Sequence, residues 1–310
     1  MVRRSDEEEV LPTRTAMSAG VVLVLQALWP GLAHGQAPAP AVEKEVARQQ
    51  AIYQSQGENV PAGYVVDRSL LAYTAALPAE FRRSLANLGS SDRWLDIGAG
   101  EGRAILDYYT SLYDAMHPEG RERRGKKAQA VAISIEDRRT PRWHKTAASL
   151  GPRQIQYFSG RPLREYSLEE LGRFQLITDN TGGFSYARYL STFMERALGA
   201  LEVNGNFYTL LLDVLPEAAT GPAAYPDSLL LTEIQNAAGS DVRVCSWLKS
   251  ISCVAVACER DHKSTRPVEL YRIQKICENV AVPRLDLVQF SAGTPPLRKY
   301  RWQTWLPLDE

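Results

Sequence analysis

One stretch constrains this chain more than any other: the fifteen residues from Arg93 to Asp107, RWLDIGAGEGRAILD. A short apolar run, Trp94 to Ile97, carries an acid at Asp96. It breaks into Gly98-Ala99-Gly100-Glu101-Gly102 and passes at once into a helical pattern with Ala104, Ile105, Leu106 and Tyr109. Strand, tight glycine turn and helix open a parallel α/β unit. Glycine reaches backbone angles closed to other residues and lets a ligand lie against bare backbone. The helix start then presents unpaired N–H groups and a partial positive charge, which suit an anionic group such as a carboxylate.

The spacing distinguishes between ligands. A dinucleotide fingerprint, G-x-G-x-x-G, needs its third glycine at 103, where Arg103 stands. Here the glycines fall at 98, 100 and 102, and the acid two residues before the first suits an ammonium group better than a pyrophosphate. Asp96-x-Gly98-x-Gly100-x-Gly102 resembles the first motif of class I S-adenosylmethionine-dependent methyltransferases. The resemblance covers roughly residues 90–260. It implies an α/β, Rossmann-like, seven-stranded, mostly parallel sheet with an antiparallel last strand and helices on both faces. It also implies S-adenosylmethionine as cofactor. Asp96 would hold its amino group, the loop Gly98, Ala99, Gly100, Glu101 and Gly102 its carboxylate, and Glu136 its ribose.

Other strands follow along the chain. Ala128 to Ile135 forms a second strand whose tip carries Glu136-Asp137, 40 residues after Asp96. An acid there is placed to bond ribose hydroxyls. The basic loop Arg121 to Lys127 reads as a solvated surface. Thr140 caps a helix that has Pro141 in its first turn. Gln154 to Phe158 is a third strand, followed by Ser159-Gly-Arg-Pro-Leu163 without the acid that the family often places near the adenine. Ser167 to Leu171 has a capping-box pattern. Phe174 to Thr178 is a fourth strand ending in Asp179-Asn180-Thr181-Gly182-Gly183. Ligands of open α/β sheets sit beyond the carboxyl ends of the strands, so Asp179 is the candidate catalytic side chain, as base or orienter. No Asn-Pro-Pro-Tyr run is present, which disfavours amino methylation of adenine or glutamine.

A fifth strand, Phe207 to Leu212, ends at Asp213. Asp179, Asp213 and Asn180 faintly resemble the magnesium site of catechol-type O-methyltransferases, but the Asn follows the fourth strand rather than the fifth, and no metal is expected. Further on, the pattern predicts a helix over 228–238, an antiparallel hairpin of 242–247 and 251–258 turning at Lys249, a helix over 268–278, a strand at 285–290 and an irregular tail. The four cysteines are Cys245, Cys253, Cys258 and Cys277. In that hairpin Cys245 and Cys253 face each other and can be bridged in an oxidising compartment. Four cysteines allow three pairings. Without a C-x-x-C pair, zinc is not expected.

Residues 1–35 read as a signal peptide or leader: Ala19 to Leu28 is too short for a comfortable membrane span, and Ala33-His-Gly35 fits a cleavage site. Arg3, Arg4 and Arg14 are offset there by Asp6, Glu7, Glu8 and Glu9. An intact leader would act as an anchor. Cleavage implies export; without a true signal the protein is cytoplasmic. Export conflicts with a cytosolic methyl donor. Residues 36–88 form a helical cap with short helices at 69–76 and 78–88, 89–262 the methyltransferase-like domain, and 263–310 a C-terminal extension packed on it. Tyr64 and Tyr73 either line the cofactor cleft or simply pack.

Lys plus Arg equals Asp plus Glu at 36 each, and such a neutral chain is a poor general nucleic-acid binder. An apolar content of 45% supports a packed core. The acceptor is a small molecule or a protein. The alternative is an exported protein of the same fold that binds a ligand or partner without catalysis.

Overall fold

The computed structural model describes residues 68–109, 127–135, 137–211, 231–261, 268–291 and 297–303. The leader, Tyr64, Glu136 and Asp213 lie outside these residues. Among the described residues no helix is long and apolar enough to cross a membrane.

Strand β1, Arg93–Ile97, is the centre of a seven-stranded sheet. On one side lie β2, Gln129–Ser134, and β3, Ile155–Ser159. On the other lie β4, Phe174–Asp179, and β5, Leu201–Leu211. These five strands are parallel. The order continues past β5 with β9, Val268–Lys275, antiparallel to it, and ends on β8, Val254–Asp261. The last strand of the sheet in chain order is thus the antiparallel one, as the sequence implied. β9 lies beyond residue 262, so the sheet is completed by the segment expected to be an extension.

Alternation along β1 divides the core. Trp94 packs with Leu176, Tyr208 and Leu210 on one face, under helices α1, Leu70–Ala76, α2, Glu80–Ala86, α3, Arg103–Tyr108, and α4, Pro141–Leu150. Leu95 and Ile97 pack with Ile177 and Phe207 on the other. That face is covered by α5, Leu168–Leu171, α6, Gly183–Tyr186, α7, Leu190–Ala200, and α8, Val244–Lys249. Ser69 caps α1, Thr140 caps α4 with Pro141 in its first turn, and Ser167 and Glu170 complete the capping box of α5.

A second sheet has the order β10, β11, β6, β7, from Leu285–Ser291, Leu297–Trp302, Leu231–Gln235 and Asp241–Val242. Several expectations are corrected here. The span 228–238 contains a strand because Leu231 to Gln235 pair in parallel with Leu297 to Arg301, a partner far along the chain. The tail contains β11 rather than being irregular throughout. Residues 244–249 are a helix, burying Val244, Cys245, Trp247 and Leu248 at helical spacing. The hairpin is therefore β8 with β9. β9 was expected to be helical because its buried face carries Glu269, Tyr271, Ile273 and Lys275, so charges stand where a strand pattern calls for apolar residues.

Of the three possible cysteine pairings the structure shows one. Cys245 bonds Cys258, and Cys253 bonds Cys277, with Cα–Cα distances of 6.1 and 5.0 Å. With 244–249 helical, Cys245 and Cys253 are not cross-strand neighbours. The first bridge ties α8 to β8, and the second ties the entry of β8 to the exit of β9.

Candidate functional site

The glycine turn joins β1 to α3, with Gly98, Gly100 and Gly102 all left-handed at φ +72°, +56° and +71°. Only glycine adopts such angles routinely. Space is equally restrictive. A Cβ on Gly98 would stand 2.5 Å from the Cα of Gly182, and one on Gly102 would enter the ring of Trp143. The turn is thus pressed between the loop after β4 and the side chain of α4.

Hydrogen bonds fix it further. The amides of Gly98 and Ala99 both donate to the carbonyl of Ile133, at 2.9 and 3.0 Å, and that of Gly102 donates to Ala99 at 2.8 Å. These three amides are engaged within the protein. Glu101 is half-buried in the turn. The Tyr157 hydroxyl donates to the carbonyl of Gly100 at 2.5 Å and accepts from the amide of Arg138 at 3.3 Å. It links the turn to the segment after β2. Trp143 meets Tyr157 edge-on, with centroids 5.1 Å apart. Neither residue was picked out from the sequence; β3 gave no sign that a phenol would reach the turn.

Asp96 is fully buried. The Tyr73 hydroxyl lies 2.9 Å from Oδ1 and 3.0 Å from Oδ2, and Thr178 donates to Oδ1 at 2.8 Å. Thr178 in turn accepts from the indole of Trp94 at 2.8 Å. Tyr73 therefore does more than pack. Burial pushes the Asp96 carboxyl up to about 7, against the two hydroxyl bonds that favour its charged form. With no exposed surface, Asp96 is out of direct reach of an ammonium group in this arrangement.

Asp179 stands one register step further out, opposite Ile97, and on the other face of the sheet from Asp96. One oxygen accepts from the amide of Gly182 at 2.6 Å, the other from that of Phe184 at 2.7 Å. It too is fully buried, which raises it to about 7. Both oxygens hold the loop that carries Gly182 against Gly98. Of the two roles expected for Asp179, base or orienter, this bonding fits the orienter.

The loop is gripped from outside as well. Arg298 of β11, fully buried, donates to the carbonyls of Phe184 and Ala187 at 2.8 and 2.7 Å and to Thr232 at 2.7 Å. The second sheet is thereby fastened to the tip of β4.

Two further residues at that tip were not assigned from the sequence together. Arg68 Nη1 donates to Asn180 Oδ1 at 2.9 Å. Asn180 is 4% exposed, and its Nδ2 is buried without a hydrogen-bond partner among the described residues. The next residue, Thr181, is β-branched yet left-handed at φ +55°, and its hydroxyl donates to the Asn180 carbonyl at 2.7 Å. Such strain persists where the surroundings hold it in place, and it clusters at functional sites. Among the described residues no group of three or more His, Cys, Asp or Glu side chains converges as a metal site. At the tip of β2, Ile135 is 59% exposed.

Strand order, one antiparallel strand beside β5 and a left-handed glycine turn after β1 agree on one architecture. The chain has the class I methyltransferase fold.

No protein-family model and no curated protein matches the sequence. Solved structures with a similar backbone include an rRNA methylase from Streptococcus thermophilus, 12% identical, matched over 64% of this chain and 95% of that one at a TM-score of 0.39. A 1,6-didemethyltoxoflavin-N1-methyltransferase from Burkholderia thailandensis is 14% identical over 86% of this chain and 94% of its own, at 0.42. A phosphoethanolamine N-methyltransferase 2 from Haemonchus contortus is 10% identical over 64% of this chain, at 0.43, and only 51% of that protein is spanned. The fold assignment rests on the strand order and the turn.

Proposed function

We propose that this protein is an S-adenosylmethionine-dependent methyltransferase. The observation that carries this is the turn itself: three left-handed glycines held at the carboxyl edge of the sheet, backed by Trp143 and Tyr157 and faced by the post-β4 loop. Glycine at Gly98 and Gly102 is what lets the turn close against the post-β4 loop and Trp143. The orphaned Nδ2 of Asn180 at the same edge fits a site that is completed by a ligand.

The cofactor supplies a methyl group on a sulfonium, ready for in-line displacement. The protein's part is placement. The turn at Gly98 to Gly102 supports the amino-acid end, and Ile135 offers an apolar surface to the base. Asp96 sets the charge beneath the site, and Tyr73 covers it. Asp179 and Arg298 hold the post-β4 loop in register, so that Asn180 and Thr181 stand where an acceptor would enter. Glu136, outside the described residues, keeps its proposed role at the ribose. The acceptor is a small molecule or a protein. Isothermal titration with S-adenosylmethionine and S-adenosylhomocysteine tests this: saturable heat is expected from both, and none from either ends the proposal.

One observation favours a second reading. Asp96 already accepts from the hydroxyls of Tyr73 and Thr178. That suits an exported protein which keeps the fold and binds a ligand or partner without transfer. Release of S-adenosylhomocysteine from S-adenosylmethionine in the presence of acceptors separates the two. Pairing of all four cysteines supports maturation in an oxidising compartment, and so a leader that is cleaved.

A further inference from the structure

We infer that Arg68 and Asn180 together form a carboxylate-binding subsite at the tip of β4. This rests on the proposed cofactor, and it moves carboxylate recognition away from the glycine turn. Three amides of that turn, at Gly98, Ala99 and Gly102, already donate within the protein. An anion at this edge therefore draws on donors besides these three.

Arg68 is half-buried, and its one side-chain hydrogen bond among the described residues is the donation from Nη1 to Asn180 Oδ1. A guanidinium has five N–H donors in a planar fork that matches a carboxylate. The same bond orients the Asn180 amide. With Oδ1 held by a cation, Nδ2 must face the other way, because a flipped amide would set donor against donor. There Nδ2 is buried and meets no acceptor among the described residues. Leaving a buried donor unpaired is unfavourable, so a ligand oxygen is the partner that completes it.

The pair is rigidly placed. Ser69, next to Arg68, caps α1, and the amide of Leu70 donates to Asp107 of α3 at 3.2 Å. On the other side Thr181 locks the backbone of Asn180. Arg68 lies near Asp96 and Asp179, yet neither acid is within hydrogen-bond reach of it. Both acids are bonded elsewhere, so among the described residues no carboxylate is hydrogen-bonded to the guanidinium. Two sources carry that group: the amino-acid end of the cofactor, or a carboxylate on the acceptor.

Titration calorimetry on the full chain separates them. The probes are S-adenosylhomocysteine, which has the carboxylate, and 5′-methylthioadenosine, which lacks the whole amino-acid end. The variants are Arg68→Met and Asn180→Asp; the second still accepts from Arg68 but replaces the orphaned donor with a negative oxygen. If the cofactor is the source, each variant weakens S-adenosylhomocysteine at least tenfold and leaves 5′-methylthioadenosine within twofold. If the acceptor is the source, both adenosine compounds are unaffected. Acetate and 4-hydroxybenzoate, titrated with and without S-adenosylhomocysteine, then bind wild type and lose binding in both variants. Equal weakening of the two adenosine compounds, or no effect on any carboxylate, overturns the subsite. Wild type that binds neither adenosine compound overturns the proposed cofactor instead, and the carboxylate titrations alone then decide the subsite.

Discussion

The phenol of Tyr73, on α1, lies within hydrogen-bond distance of both oxygens of Asp96, at 2.9 and 3.0 Å, across the mouth of β1. That bond favours the charged carboxylate against the effect of burial. Tyr73→Phe removes that bond and leaves Thr178 as the remaining hydroxyl donor. A loss of about 1–3 kcal/mol in unfolding free energy is expected at pH 8, where the carboxylate is charged. At pH 5, where Asp96 is protonated, the loss is smaller. Urea denaturation at both values checks the difference. An equal loss at both would mean that the phenol contributes packing alone.

Asp96 and Asp179 give the protein a characteristic pH dependence. Burial raises each to about 7 in the folded state, above the ordinary carboxylate range. Between that range and about pH 7 the folded chain keeps protons that the unfolded chain has released. The unfolded state therefore binds fewer protons, and stability falls as pH rises through this window. Asp96→Asn removes one of the two contributions. Its unfolding free energy is expected to decline less between pH 4 and 7 than that of wild type, by on the order of 2 kcal/mol. Parallel pH profiles for the two proteins would count against a buried titrating acid at 96.

Gly98 and Gly182 touch backbone to backbone, which makes the β4 loop sensitive to a single methyl group. A Cβ added at Gly182 would stand 2.5 Å from the Ile97 carbonyl and 2.9 Å from Asp179. Gly182→Ala is expected to lower stability by about 1–3 kcal/mol through overpacking and to weaken S-adenosylhomocysteine binding. Gly160→Ala is the control: its φ is +87° but nothing lies within 4 Å, so it carries backbone strain of about 1 kcal/mol without a clash. Thermal melts and titrations of both variants read the contrast.

Removal of the Cys253–Cys277 bridge by replacing both residues with Ala is expected to cost about 2–4 kcal/mol, since the bridge closes a 24-residue separation between the ends of the β8–β9 hairpin. Thiol titration of denatured wild type should find no free thiol. Four free thiols in protein from its native host would place it in a reducing compartment.

Arg298→Met tests the link between the two sheets. It leaves the carbonyls of Phe184 and Ala187 and the hydroxyl of Thr232 without this buried donor. A loss of about 3 kcal/mol is expected from these unmet groups. Hydrogen exchange should rise at the amides of Gly182 and Phe184. Unchanged exchange there would separate the second sheet from the site.

How much was legible follows from how local each signal is. The turn from Asp96 to Gly102, the cap at Thr140 and the capping box at Ser167 are short-range devices, and all three form as read. The apolar strands β1 to β5 were found for the same reason. β9 was missed because Glu269 and Lys275 occupy its buried face. Glu269 is met there by the hydroxyl of Tyr271 and by Arg243, and Lys275 by the carbonyl of Leu201. Those partners are invisible to a pattern that looks for apolar residues.

The sequence by itself determined a parallel α/β sheet with a glycine turn after its first strand, because glycine spacing and apolar runs act within a few residues. It could not determine which acid faces which side. Asp96 and Asp179 both end apolar strands, yet Asp179 aligns with Ile97, one step beyond Asp96. Since side chains alternate from face to face, that single step sends the two carboxylates to opposite faces. Only the tertiary structure sets the register between strands more than eighty residues apart, and with it the meeting of Arg68 and Asn180.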